Sequence, residues 1–289
     1  MTDTNKTKVL ALSSLAKVRL DGPDTRDQTL PEQSQAWSFG GGSHSFQLAT
    51  YLDQVGCAYL TLDTEGLPEG VSMTIRRVAQ VPVQLAAYPD RHDEHYISTE
   101  PGLYPDVLQE ADPDLLFARG HSWESYWIEL TAEKHAPAFD GPVTFTVKPT
   151  LFPLTVEDGE PKRVEDDPVI FTYTLNLHVV GQALPEQTLQ TTTWFHADSL
   201  ADHYDLETWS EEHWEVTRAF IQAAVRRGMN MILTPVFTPP LDTAIGSYRT
   251  NVQLVDVIRE ADGSWTFGFE RLERWIRLAQ EEGIESFEI

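Results

Sequence analysis

The chain has 289 residues, of which 41% are hydrophobic and 23% are charged, an ordinary composition for a globular protein that excludes global disorder. Its 45 acidic and 21 basic residues give a formal net charge of −24. Because phosphate backbones and anionic lipid surfaces repel a chain of this charge, we expect no nucleic-acid partner and no membrane binding.

Residues 1–188 have the sequence pattern of an antiparallel β-sandwich domain. Apolar and polar residues alternate most clearly in Val169–Val180, where Phe171, Tyr173, Leu175, Leu177 and Val179 share one face. Clusters of Gly, Pro and Asp separate the predicted strands. These strands are Ser45–Tyr51, Ala58–Asp63, Val71–Val83, Ser122–Leu130, Pro142–Leu151 and Val169–Val180.

From residue 189 the pattern changes to alternating strands and helices, which is typical of a parallel α/β fold. The first predicted helix, Thr208–Gly228, has Thr208 or Ser210 as its N-cap, glutamates in its first turn, and arginines before a final glycine. The second, Glu270–Glu282, has apolar residues at helical spacing. The predicted strands are Leu189–His196, Met229–Phe237 and Ile284–Ile289, with a hairpin formed by Asn251–Ile258 and Trp265–Phe269.

The second region is too short for a whole barrel. A (β/α)₈ TIM barrel usually needs about 250 residues, and only three parallel strands are predicted after residue 188. We therefore predict an N-terminal β-sandwich over residues 1–188, followed by an incomplete (β/α)₈ TIM-barrel-like α/β domain over residues 189–289. A missing C-terminal part or a second chain would have to complete the barrel, because an open parallel sheet leaves an unpaired edge.

Cysteine content and apolar runs indicate the cellular setting. The single cysteine, Cys57, excludes an internal disulfide and a multi-cysteine zinc site, and we expect it to be a small buried hydrophobe. No segment approaches the ~18 consecutive apolar residues of a membrane span, and the N-terminus has no signal-peptide pattern. We therefore expect a cytoplasmic protein.

Several segments are too specific to be explained by composition. They are TTWFHADSLADHY (192–204), WSEEHW (209–214), RGMNMILTPVFTPPLDTAIG (227–246), VQLVDV (252–257) and GIESFEI (283–289). Together they resemble the front of the catalytic domain of glycoside hydrolase family 123. YPD (88–90) and TEPGLYPDVL (99–108) resemble the N-terminal domain of that family, so the resemblance spans most of the chain.

The resemblance implies a retaining N-acetyl-β-galactosaminidase with a carbohydrate substrate. In that family the substrate's 2-acetamido oxygen attacks the anomeric carbon, a Glu protonates the leaving oxygen, and an adjacent Asp orients the acetamido group; substrate-assisted enzymes depart from the usual two-carboxylate scheme. The Asp-Glu pair of this chain, Asp93-Glu94, falls in the β region, where we interpret it as a solvated loop. We therefore expect the catalytic pair beyond Ile289 and an inactive chain.

Candidate substrate-binding residues follow the predicted strands, because barrel sites gather at the carboxyl ends of strands. Aromatic rings and carboxylates suit sugars, since they offer faces for C–H stacking and acceptors for hydroxyls. The candidates are Trp194, His196, Asp198, Asp202, Thr238 and Asp242. The alternative roles are local: Asp198 caps a turn, Asp242 forms an Asx turn, and Arg249 and Gln253, weaker candidates, pin the hairpin at Asp256.

Other site types have weaker support in the sequence. The spacing H-x-D-x₃-D-H over 196–203 suggests a metal site, but no helix or hairpin places all four residues on one face, so no metal is expected. No Walker loop or dinucleotide fingerprint is present, so no cofactor is expected. Trp123 and Trp127 share one face of a strand, either as sandwich core or as a sugar-binding platform.

Three functions remain open at the sequence level. The first is the N-terminal piece of a glycoside hydrolase. The second is a non-catalytic carbohydrate-binding β-sandwich module. The third is one half of a split enzyme that a second chain completes.

Overall fold

The computed structural model describes residues 7–23, 29–84, 94, 96, 98–149, 155–157, 160–162, 169–185, 188–237 and 243–289. The chain divides into two compact units, Met1–Leu184 and Pro185–Ile289, and the predicted boundary after residue 188 falls inside the second. The first unit is mostly β, and the second is a small α/β region. No helix in the described ranges is long and apolar enough to cross a membrane.

The first unit consists of β-strands. They are β1 (Thr7–Ser13), β2 (Val18–Arg19), β3 (Gly22–Pro23), β4 (Gln33–Gly40), β5 (Ser43–Leu52), β6 (Cys57–Glu65), β7 (Val71–Val83), β8 (Gly102–Glu110), β9 (Leu116–Arg119), β10 (Trp123–Ala132), β11 (Phe139–Pro149), β12 (Thr155–Glu157), β13 (Glu160–Lys162) and β14 (Phe171–Ala183).

Two five-stranded sheets in the described part of this unit pack face to face around one core. Their strand orders are β1-β5-β10-β7-β8 and β4-β14-β11-β6-β9, antiparallel except that β4 runs parallel to β14. Phe46 of the first sheet meets Phe145 of the second with ring centroids 5.0 Å apart. The predicted alternation in β14 is confirmed, because Tyr173, Leu175 and Val179 are buried between exposed or half-buried neighbours.

One expectation about this unit is wrong, and one of two open interpretations is not supported. Cys57 is exposed, because it begins β6 at the end of the sheet opposite Arg119. Trp123 and Trp127 do not fill the main core; the inward positions of β10 hold Tyr126 and Ile128, and Trp123 packs on a small separate cluster. A two-residue period shows which residues share a face but not which face is buried.

The core tyrosine Tyr126 predicts how stability depends on pH. Its hydroxyl donates to the Phe117 carbonyl at 2.9 Å, which joins the two sheets, and burial raises its pKa to about 12. The folded state holds this proton more tightly than the unfolded chain does. Its contribution to the free energy of unfolding, roughly 2–3 kcal/mol, is therefore fully present below pH ~10 and is lost as the pH rises toward ~12.

Urea unfolding between pH 9 and 11.5 checks this prediction. Tyr126→Phe should show a smaller decline above pH ~10, with a remainder from Tyr173, whose pKa burial also raises. The variant should be less stable at neutral pH because the Phe117 amide loses its acceptor. Tyr248→Phe, at a fully exposed tyrosine, should keep the decline. An unchanged slope in Tyr126→Phe would contradict the assignment.

The second unit contains a three-stranded parallel sheet with helices. Its elements are β15 (Thr192–Thr193), α1 (Ala197–Tyr204), α2 (Glu211–Val225), β16 (Met231–Leu233), β17 (Asp256–Arg259), β18 (Trp265–Gly268), α3 (Glu270–Glu281) and β19 (Ser286–Glu288). The order is β15-β16-β19, with every neighbour parallel. Ile221, Ile232, Trp275 and Ile284 are fully or almost fully buried in its core.

The predicted helices are close to the observed ones, and the strands are shorter than predicted. Ser210 is the N-cap of α2 and accepts from the His213 amide at 3.2 Å. Strand β16 stops at Leu233 because Pro235 lacks an amide hydrogen for the ladder. The segment before β17 is irregular, yet it buries Leu254 completely and ties its amide to the Pro235 carbonyl at 2.9 Å.

Helix α1 is not predicted from the sequence. It has eight residues, and Asp205 ends it in the left-handed conformation at φ 54°. So short a helix carries little of the periodic signal that identifies helices, and contacts with the rest of the unit stabilise it. Asp198 therefore lies in the first turn of a helix and does not cap a loop turn.

Candidate functional site

The carboxyl ends of the three parallel strands converge on one cavity. His196 follows β15, Thr234 follows β16, and Ile289 follows β19. The cavity has an empty volume of about 520 Å³ and a mostly apolar wall. Its lining residues are Phe195, His196, Ala197, Asp198, Leu233, Thr234, Pro235, Phe237, Arg249, Val252 and Ile289.

A buried ion pair forms the polar side of this cavity. Arg249 donates to both carboxylate oxygens of Asp198, from Nε to Oδ2 at 2.6 Å and from Nη2 to Oδ1 at 2.9 Å. The two side chains are only 16% and 8% exposed. Bidentate pairing balances the buried carboxylate charge and fixes both groups in one plane.

His196 is the third member of the cluster. Its Nδ1 contacts Nη2 of Arg249. Because a guanidinium has no hydrogen-bond acceptor, Nδ1 accepts, and the remaining hydrogen of a neutral imidazole is on Nε2. The cluster therefore combines two donors, the imidazole N–H of His196 and the guanidinium of Arg249. Its carboxylate, Asp198, is already paired with Arg249.

A second, open cleft lies on the other side of the same cluster. It has an empty volume of about 900 Å³, and His196, Asp198 and Arg249 line both spaces. Asp202 accepts from the Thr250 hydroxyl at 2.6 Å. Two neighbouring residues therefore contact α1: Arg249 binds Asp198 in its first turn, and Thr250 binds Asp202 in its second turn.

Buried His213 connects α1 to α2. Its Nδ1 accepts from the Trp209 amide at 3.0 Å, so its Nε2 donates to the Ala197 carbonyl, 2.9 Å away. The first bond also holds Trp209 in the left-handed conformation at φ 62°. The start of α1, and with it Asp198, is therefore fixed from the helix side as well as from Arg249.

The structure brings together some of the predicted site residues. His196 and Asp198 line the cavity, Asp202 lies on α1 and lines only the open cleft, and Trp194 is 56% exposed outside both linings. Thr238 and Asp242 fall outside the described residues. No group of three or more His, Cys, Asp or Glu side chains in the described ranges could hold a metal ion.

Arg249 has a larger role than the sequence suggests. It was expected to pin the hairpin at Asp256, but it binds Asp198 and His196, and Asp256 pairs with Arg271 of α3. Gln253 donates to the Val255 carbonyl at 2.6 Å, which is a local contact. The signal available in the sequence was an arginine in a polar segment after the second predicted strand, and local spacing does not indicate which residue it contacts.

One family model matches the second unit of the chain. Residues 194–289 match the sequence model described as glycoside hydrolase 123, catalytic domain. The resemblance to glycoside hydrolase family 123 is confirmed.

A solved structure agrees with this assignment. A family 123 glycoside hydrolase from Clostridium perfringens, described in terms of glycolipid glycan hydrolysis, aligns with a TM-score of 0.69 at 14% identity. The alignment covers 96% of this chain and 46% of that enzyme, so this chain has a partial family 123 fold and spans about half of its length.

Two further solved structures align with much lower TM-scores. AvmM, which catalyses macrocyclization in alchivemycin A biosynthesis, aligns with a TM-score of 0.28 at 8% identity, over 64% of this chain and 93% of AvmM. The N-terminal domain of PorA aligns with a TM-score of 0.23 at 9% identity, over 61% of this chain and all of that domain. Comparison with curated proteins gives no match.

Proposed function

We propose that the complete protein is a retaining glycoside hydrolase for N-acetyl-hexosaminides of the β-N-acetylgalactosamine type. In this proposal residues 1–188 are a β-sandwich domain, and residues 189–289 are the first part of a (β/α)₈ barrel. The observation that carries it is the match to family 123 over residues 194–289, together with the His196–Asp198–Arg249 cluster at the carboxyl ends of the parallel strands.

The proposed reaction uses the substrate's own acetamido group. Its carbonyl oxygen attacks the anomeric carbon as the glycosidic C–O bond breaks, and a glutamic acid gives its proton to the leaving oxygen. A neighbouring aspartate stabilises the positive charge on the oxazolinium-like ring, which water then opens. The Asp93-Glu94 sequence precedes the α/β unit in the chain, and Asp93 lies outside the described residues, so we place the catalytic pair beyond Ile289.

In this scheme the described residues bind and orient the sugar. His196 and Arg249 donate hydrogen bonds from the cavity wall, and the Asp198 pair holds Arg249 in place before the sugar arrives. The exposed ring of Trp194 lies just before this cluster in the chain and offers an aromatic face for C–H stacking. Thr238 and Asp242 remain proposed substrate contacts.

Asp198 is not suited to be the proton donor. Both of its oxygens accept hydrogen bonds from Arg249, at 2.6 and 2.9 Å, so neither oxygen is available to donate to a leaving group. A general acid must instead carry a proton at the start of the reaction. The cluster therefore fits a binding and positioning role, with acid catalysis supplied by another group.

Two aryl glycosides test the proposed mechanism in the protein encoded by the full reading frame. We expect cleavage of para-nitrophenyl N-acetyl-β-galactosaminide with the β-anomer of the sugar appearing first in ¹H NMR. The matching β-galactoside, which lacks the acetamido nucleophile, should react slower by several orders of magnitude. First release of the α-anomer, or equal rates for the two substrates, would refute substrate assistance.

A further inference from the structure

One row of side chains crosses the outer face of the second sheet of the β unit. Residues Trp37 of β4, His178 of β14 and Asp140 of β11 lie directly opposite one another in register. Their positions alternate with those that fill the core, such as Val179, so all three side chains point outward. An indole, an imidazole and a carboxylate therefore lie side by side on a solvent-exposed surface.

Stacking against His178 fixes the orientation of the Trp37 ring. The rings of Trp37 and His178 stack with centroids 4.2 Å apart and planes 14° from parallel. Nδ1 of His178 lies 3.1 Å from Oδ1 of Asp140. Trp37 nevertheless remains 67% exposed, because the imidazole can cover only one of its faces. The indole is a supported platform with its other face open to solvent.

The surface around the platform is rich in hydrogen-bonding groups. The next row across the same strands contains Gln35 and Asn176, and the row after that contains Thr174 and Thr144. Amides and hydroxyls both donate and accept hydrogen bonds. A shallow depression with an empty volume of about 490 Å³ adjoins the stack, lined by Trp37, Ala138, Phe139, Asp140, His178, Val179 and Val180.

We propose that this face is a second carbohydrate-binding site, which takes a neutral oligosaccharide. The electron-rich indole face attracts the slightly positive C–H bonds of a pyranose ring, and the amides, hydroxyls and Asp140 bind its hydroxyl groups. Phe39, 45% exposed and two residues along β4, extends the aromatic surface for a second sugar unit. The site belongs to the β unit alone and does not depend on the proposed hydrolysis.

Charge and composition favour this ligand over the alternatives. An exposed carboxylate on the platform, in a chain of net charge −24, repels sialylated or sulfated glycans. A protein interface of ordinary size buries about 800 Å² on each partner, a wider area than one row of side chains provides. A flat aromatic ring beside groups that can both donate and accept suits a neutral sugar.

Indole NMR of this chain tests the proposal. The chain has eight tryptophans, and the Trp37 Nε1–H resonance is identified by its loss in Trp37→Ala. We expect that titration with lactose, N-acetyllactosamine, chitobiose or cellobiose shifts this resonance saturably for at least one sugar. Isothermal titration calorimetry, which needs no indole signal, should show binding weakened by about tenfold or more in Trp37→Ala and partly retained in Trp37→Phe.

A matched variant locates the binding. Trp265→Ala removes an indole of similar exposure from the α/β unit and should leave the affinity unchanged. No saturable shift of Trp37 with any of these sugars, equal affinity in Trp37→Ala, or tighter binding of sialyllactose than of lactose would overturn the proposal. Loss of hydrolysis in the full-length protein would not affect it.

Discussion

Arg249→Ala is expected to destabilise the α/β unit by about 3–5 kcal/mol, because it leaves the carboxylate of Asp198 buried without its partner. The same change removes the contact with Nδ1 of His196 and frees the start of α1 from the loop that follows β16. Hydrogen exchange should therefore accelerate most in Ala197–Tyr204, with Met231–Leu233 less affected. Urea unfolding gives the overall loss, and mass spectrometry of exchange locates it.

A surface arginine serves as the matched control. Arg218 also makes ion pairs, with Glu281 and Glu282, but its side chain is 40% exposed, so Arg218→Ala should cost a small fraction of the Arg249→Ala loss. Adding Asp198→Ala to Arg249→Ala should restore part of the stability, because no unpaired charge then remains buried. Equal losses for Arg249→Ala and Arg218→Ala would contradict a buried, structural ion pair.

The β unit could be predicted well wherever one face of a strand is buried. Strand Val71–Val83 matches its predicted bounds, and the apolar face of β14 is the buried one. Strand β4 was missed because its sequence, QSQAWSFG, has polar residues around its aromatic residues. The same composition places Trp37 on an exposed face, so the missed strand carries the proposed carbohydrate platform.

The candidate site could be predicted only in part. His196 and Asp198 lie within five residues of the end of β15, so a local pattern places them near the sheet's carboxyl edge. The partner of Asp198 is 51 residues away in sequence, and Arg249 lies in an irregular segment that no periodicity describes. Such a contact depends on tertiary packing, which neither strand nor helix spacing encodes.

This chain alone is expected to hydrolyse para-nitrophenyl N-acetyl-β-galactosaminide at least ~10²–10⁴-fold more slowly than the protein from the full reading frame, since general acid catalysis contributes about that factor. The paired Asp198 cannot replace the missing acid, and Asp93-Glu94 precedes the α/β unit in the chain. Loss of the acetamido-orienting aspartate should lower the rate further. The chain should nevertheless be folded, with native-like unfolding transitions as the control.

The central claim is that residues 189–289 form the binding side of a family 123 site whose catalytic pair lies elsewhere in the protein. Measuring the hydrolysis rate of the two proteins side by side tests this claim most directly. The account predicts steady turnover by the longer protein and no turnover above background by the 289-residue chain. Turnover by the chain alone at the rate of the longer protein would contradict it, because the general acid would then have to lie within residues 1–289.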